Sequence, residues 1–223
     1  MVDVGCGNGT TTQSIARALS SRGLCTGIDL SKPMILNARA RALAANLPIE
    51  FIHADVAEHP FRNATFDVFA SRFGVMFFAD PVKAFANLRS AASGRARLVF
   101  IVWRGPEENA FVTAAQRAAA PLLPKGPVRD PEAPGPFSLA NPDHVRAVLS
   151  ASGWTDIELR SIDMPCAFKN TDLDLFLAKL VPIGHDLQSL EDHVRAEITR
   201  TVRAAYESGM SSAPRFGSPP LVG

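Results

Sequence analysis

Cysteine is scarce in this chain and badly placed for structural chemistry. Cys6, Cys25 and Cys166 are odd in number, far apart, and form no CxxC pair or histidine-flanked cluster. That excludes a disulfide framework or a tetrahedral zinc site and agrees with a reducing compartment. An excess of either charge is missing too: 23 Lys and Arg face 22 Asp and Glu, for a formal net charge of +1. Such a balance produces no field to gather nucleic acid or an anionic membrane, so a small ligand is the expected partner. Long apolar runs are absent. The longest clean one, Leu98 to Trp103, is far too short to span a bilayer, and no basic segment followed by an apolar stretch precedes the first strand. The expectation is a cytoplasmic protein with no membrane span. There is no G-x-x-x-x-G-K-[ST] phosphate loop and no internal repeat.

What is present, 223 residues at 47% hydrophobic content, suits one sizeable α/β domain with an appended cap. Apolar runs alternate with amphipathic stretches through the first half, the pattern of βαβ units. Strands are expected at Met1 to Val4, Leu24 to Ile28, Ile49 to His53, Phe66 to Ala70 and Arg97 to Trp103. Helices are expected from about Thr11 to Ser21, Lys32 to Ala45 and Pro81 to Ala92. Ser31 and Asp80 are suited to cap helix amides, and Pro33 and Pro81 fall in first turns, where a missing N–H costs nothing. "PLLPKGPVRDPEAPGP" (Pro121 to Pro136) is too rich in proline for a helix or a central strand and reads as a lid or linker. Asn141 caps a further helix to about Ser152, and "TDIELRSIDM" (Thr155 to Met164) alternates like a strand. Two more helices follow, the second from about Leu190 to Glu207 with Ser189 and Asp192 spaced as a capping box. The expected organisation is one domain over 1–208, with 105–138 and 170–208 as helical or lid additions and 209–223 as a loose tail.

The chemistry concentrates in "MVDVGCGNGTTTQSIA". Gly5, Gly7 and Gly9 let the backbone turn sharply from strand to helix and approach a ligand closely, while the first helical amides point at whatever is bound. The spacing G-x-G-x-G differs from the G-x-G-x-x-G of a dinucleotide fold. Asp3, two residues before the turn, would repel a pyrophosphate and attract an ammonium. An amino-acid-bearing nucleoside fits this combination better than a dinucleotide.

These residues resemble the first motif of the class I S-adenosylmethionine-dependent methyltransferases, of the ubiquinone/menaquinone-biosynthesis type. Three later stretches extend the resemblance to roughly residues 1–164: "TGIDLS" with Asp29 closing the second strand, "HADVAEHPF" with Asp55 after the third, and "FDVFASRFGVMFFADPVKAFANLRSAASGRARLVFIVW" as fourth strand, helix and fifth strand. The resemblance implies a Rossmann-like α/β sheet with helices on both faces and helical insertions after strands 5 and 6. It implies S-adenosyl-L-methionine as cofactor, bound by Asp3, Gly5, Cys6, Gly7 and Gly9 at the loop, by Asp29 at the ribose and Asp55 at the adenine amino group, and by Leu30, Met34, Val56 and Ser71 as further cofactor-binding residues. Arg72, Phe73 and Phe137 are candidates to line the acceptor site. The fourth strand does not end in N/D-P-P-Y, which argues against methylation of nucleic-acid amines and for a small-molecule acceptor.

No histidine stands beside an acid at a spacing that marks a general base, so no catalytic residue is assigned and no metal is expected. Cys6 reads as a small loop residue, not a nucleophile. Phe73, Phe77, Phe78 and Phe85 read chiefly as core. Two other readings share some of these features: a nicotinamide-dependent oxidoreductase, and a cofactor-binding but inactive remnant of a methyltransferase. The second draws on the expectation that the domain is shortened at both ends, lacking helices before the first strand and a final antiparallel strand. A homodimer would cover the surfaces so left open.

Overall fold

In the computed structural model, which describes residues 1–122, 130–164 and 191–212, the apolar runs assemble into one parallel sheet. β1 (Val2–Val4), β2 (Cys25–Asp29), β3 (Ile49–His53), β4 (Phe66–Arg72) and β5 (Ala92–Ile101) lie in the order β3-β2-β1-β4-β5. Every neighbouring pair is parallel, so each connection must return to the starting edge of the sheet. Helices α1 (Thr10–Leu19), α2 (Lys32–Ala44) and α3 (Pro81–Ser90) make three of these crossovers. The chain builds outward from β1 through β2 to β3, then returns to place β4 on the other side of β1. At that reversal the connections after β1 and β4 leave in opposite directions and open a crevice at the carboxyl edge.

Period-two alternation in β1 sends Val2 and Val4 to one face and Asp3 to the other. The valine face continues through Ile28 and Phe69 and is covered by Ala84, Phe85 and Leu88 of α3 and by Val145, Val148 and Leu149 of α5 (Pro142–Ala151). Trp154 closes this core by stacking edge-on to Phe69 and donating its indole N–H to the Phe85 carbonyl at 3.0 Å. The opposite face buries Cys6 and Phe51 against Ile35, Ala38 and Ala42 of α2. Phe51 lies across its register partner Gly27, where a Cβ would come within 2.7 Å of the ring. Helices therefore cover both faces, as the Rossmann-like reading requires.

Differences from the sequence expectations have identifiable causes. Ser31 does not cap α2 with its side chain; its backbone N–H instead donates to Asp29 Oδ1 at 2.8 Å. Asp80 and Asn141 do cap their helices, accepting from the amides of Lys83 and Asp143. β5 starts five residues earlier than the apolar run, at Ala92, because its first residue pairs with Phe66 across an irregularity in the register. Phe85 is fully buried and Phe78 packs edge-on against it, but Phe77 is 58% exposed and is not core. The stretch from Thr155 to Met164 is no strand. Ile157 and Leu159 do lean on the core, so the alternation reported packing correctly. A ladder also needs a neighbouring edge, and here the Ile157 carbonyl accepts from the Arg146 guanidinium at 3.0 Å instead.

The chain divides into two compact units, Met1–Gly105 with Arg129–Ser161, and Pro106–Val128 with Ile162–Gly223. The first contains the sheet. In the second, α4 (Ala110–Ala119) packs on α6 (Asp192–Ser212), burying Ala119, Ile198 and Val202. α6 continues beyond Glu207, where the apolar pattern stops, into the stretch read as tail. Ser189, His185 and residues 213–223 lie outside the described residues.

Candidate functional site

The loop from β1 to α1 is fixed to the end of β2. The amides of Gly5 and Cys6 both donate to the Ile28 carbonyl, at 2.9 and 3.1 Å. Gly5, Gly7 and Gly9 all adopt left-handed backbone, with φ of 65, 55 and 77°, which explains the repeated glycine. Their surroundings differ. A Cβ on Gly5 would fall 2.5 Å from the Cα of Gly74, and one on Gly9 would fall 2.9 Å from the Phe51 ring. A Cβ on Gly7 would meet nothing within 4 Å. Arg41 of α2 braces the loop from outside, donating to the Asn8 carbonyl and the Thr10 hydroxyl at 2.8 and 2.9 Å.

Asp3, Gly5, Cys6, Gly7, Asn8, Thr11, Met34 and Arg72 line a cleft of about 220 Å3 at the carboxyl edge of the sheet. Asp3 is 1% exposed, and the Thr12 hydroxyl donates to its Oδ2 at 2.6 Å. Burial pushes its pKa up to about 6, against the opposing effects of the Thr12 hydrogen bond and the Arg72 charge. Burial, with the nearby carboxylates of Asp3 and Asp29, raises the Cys6 thiol to about 12. That thiol stays protonated and is no nucleophile. Asp29 accepts from the Gly7 amide through Oδ2 and from the Ser31 amide through Oδ1, both at 2.8 Å. Each of its oxygens retains acceptor capacity for a ligand hydroxyl.

Of the remaining residues singled out in the sequence, Met34 lines this cleft, whereas Leu30, Asp55, Val56, Ser71, Phe73 and Phe137 are not among its lining residues. Asp55 is exposed and closes its own turn by accepting from the Ala57 amide at 2.8 Å. The Val56 side chain is buried in the core, so only its main chain is available to a ligand. Leu30 is largely exposed and Met34 about half. Ser71 is a fastener: its hydroxyl donates to the Val4 carbonyl at 2.7 Å and accepts from the Gly74 amide at 3.2 Å, joining the ends of β1 and β4. Removing that hydroxyl in Ser71→Ala takes this partner from the Val4 carbonyl and the Gly74 amide, and the expected loss is about 1–2 kcal/mol of stability in urea unfolding. Phe73, at φ 65°, stacks on Trp103 with centroids 4.4 Å apart and planes 10° from parallel. Phe137 is half-buried in a run of turns; the flanking Gly135 amide and Ser138 hydroxyl both donate to the Met76 carbonyl. No described histidine lines the cleft.

Sequence reasoning missed Thr12, Thr11, Asn8, Gly74 and Arg41. Thr12 was recoverable, since the third residue of a helix packed back on its sheet faces the strand it left. Gly74 and Arg41 carry no local signal, because their roles depend on chain segments 69 and 33 residues away.

Residues 1–93 match the family described as methyltransferase domain. Over that stretch, under half of its length, the chain is similar to a methyltransferase domain. The demethylmenaquinone methyltransferase of Thermus thermophilus is 35% identical over 85 residues, 38% of this chain and 39% of that protein. The 2-phytyl-1,4-naphtoquinone methyltransferase of Trichormus variabilis is 27% identical over 118 residues, 52% of this chain and 51% of that one. The chain therefore spans about two fifths and about half of the length of these two relatives. Among solved structures, the YcgJ protein from Bacillus subtilis superposes with a TM-score of 0.59 at 19% identity, covering 88% of this chain and 80% of that one. That likeness concerns the fold. The matched residues run from β1 through α3 and so include the glycine loop, Asp29, Asp55 and the end of β4. The family's cofactor is S-adenosylmethionine. No described helix is long and apolar enough to cross a membrane.

Proposed function

We propose that the cleft binds S-adenosyl-L-methionine and that the chain transfers its methyl group to a small-molecule acceptor. The observation that carries this reading is a buried carboxylate, Asp3, beside an open glycine, Gly7, whose amide is oriented by a second carboxylate, Asp29. Two carboxylates at the loop favour a cation and disfavour the pyrophosphate of a dinucleotide. The open side of Gly7 admits the ligand where a Cβ would intrude. Asp3 holds the ammonium end, Asp29 accepts from the ribose hydroxyls, and Asp55 and the Val56 main chain lie at the adenine end.

When bound, the cofactor supplies an electrophilic methyl on a sulfonium. The protein's task is then to align the acceptor atom with the S–CH3 bond and to keep water away, and orientation alone can supply on the order of 7–11 kcal/mol of the barrier. Phe73 stacks on Trp103 just past the carboxyl ends of β4 and β5, an apolar pair available to the acceptor. The names of the two relatives support a flat, largely apolar acceptor of the naphthoquinone kind. The cytoplasm is the proposed location.

Calorimetric titration with S-adenosylmethionine and with NAD separates the readings. Heat with the first alone is expected. Heat with NAD alone would establish the oxidoreductase, and binding of S-adenosylmethionine without turnover of any naphthoquinol would favour the inactive remnant.

A further inference from the structure

We propose that Arg72 binds the α-carboxylate of the bound nucleoside's amino-acid tail, so that Asp3 and Arg72 together form a clamp for a zwitterion. This rests on the cofactor reading above and assigns to Arg72 a role at the cofactor, not at the acceptor. Asp3 and Ala70 are register partners in the β1–β4 pair, and Arg72 follows Ala70 by two residues. Period-two alternation therefore places the Arg72 side chain on the same face as Asp3, at the carboxyl edge. Both residues line the same cleft, and the positive charge of Arg72 is felt at the Asp3 carboxylate.

They do not close on one another. The hydrogen bond to Asp3 comes from Thr12, and the Arg72 guanidinium has no hydrogen-bond partner among the described residues. Two opposite charges that face one cleft unpaired provide what an α-amino acid presents, an ammonium and a carboxylate on a single carbon. The guanidinium fork matches a carboxylate bidentately. An amine without the carboxylate would leave Arg72 idle, and a carboxylate without the amine would leave Asp3 unneutralised.

The test compares S-adenosylhomocysteine with its decarboxylated analogue by calorimetry on the wild type, Arg72→Gln and Arg72→Lys. Arg72 is exposed, so neither substitution disturbs the core. Arg72→Gln is expected to weaken S-adenosylhomocysteine about tenfold, the scale of one charge-assisted contact. It should leave the analogue within about twofold, and Arg72→Lys should restore part of the loss. Unchanged affinity for S-adenosylhomocysteine, or an equal loss for both ligands, would overturn the clamp while leaving the cofactor reading intact. Failure of the wild type to bind either ligand would overturn the cofactor reading and the clamp with it.

Discussion

Gly74→Ala is expected to cost the sheet unit about 3 kcal/mol or more, read as a lowered urea midpoint, and to disorder the ligand cleft. Gly74 has an ordinary φ of −81°, so glycine is not needed there for its conformational freedom. It is needed because a Cβ would lie 2.5 Å from the Val4 carbonyl oxygen and 2.7 Å from the Cα of Gly5. All the obstructing atoms are backbone, and none can rotate away. The connections after β1 and β4 would have to separate, breaking the Ser71 fastener and moving the amides of the glycine loop. Overpacking of flexible side chains typically costs about 1–3 kcal/mol, and rigid obstruction falls at or above the upper end. Gly7→Ala is the informative contrast. There the open space admits the methyl, leaving only the left-handed φ to oppose it, at roughly 1–2 kcal/mol. The fold should survive while affinity for S-adenosylmethionine falls, because the methyl occupies the ligand's approach. If both variants unfolded to the same extent, close approach would not be the distinguishing property of Gly74.

Asp3→Asn is expected to make the protein more stable and its ligand binding worse. The folded pKa of Asp3, about 6, stands above its ordinary 3.8 because burial penalises the charged form. For an acid, that sign means the folded state binds the proton more tightly than the unfolded one. The penalty is absent below about pH 4, grows as pH rises, and is complete above about pH 6. Its full size follows from the shift, on the order of 2–3 kcal/mol. Asparagine removes the charge while its carbonyl still accepts from Thr12. Urea midpoints of the variant should therefore exceed those of the wild type at pH 7 and converge with them near pH 4. Binding should move the other way. A bound ammonium favours the ionised Asp3, so wild-type affinity for S-adenosylhomocysteine should fall towards tenfold per unit as pH drops below about 6. Asp3→Asn should bind ten- to a hundredfold more weakly at pH 7 and lose that dependence. A variant with wild-type affinity would remove Asp3 from the binding site.

Together the two substitutions separate the loop's tasks. Gly5 and Gly74 keep the strand ends close enough for a crevice to exist, and Asp3 gives the crevice its sign. Stability is given up at Asp3 for that purpose, since a buried acid with one hydrogen bond is unfavourable until a cation arrives.

The carboxyl edge of the sheet was legible in the sequence because its signals are local. An acid two residues before alternate glycines, Asp29 closing the second strand and Asp55 closing the third all lie within a few residues of the turns they govern. Strand and helix starts were legible for the same reason, since periodicity and caps are short-range. The fastening role of Ser71 was not legible: an alcohol at a strand end reads alike whether it faces a ligand or the Val4 carbonyl.

By itself, the sequence determined the α/β class, the glycine loop, the sign of charge beside it and the family resemblance. Only the tertiary structure decided that Gly74 is as necessary as Gly5, that Ile157 and Leu159 pack on the core without their stretch pairing as a strand, and that Asp3 and Arg72 face one cleft unpaired. Each of those depends on segments far apart in the chain being brought together. Local propensity carries no information about such a meeting; the strand order at the β1–β4 reversal brings the first and the last of them about.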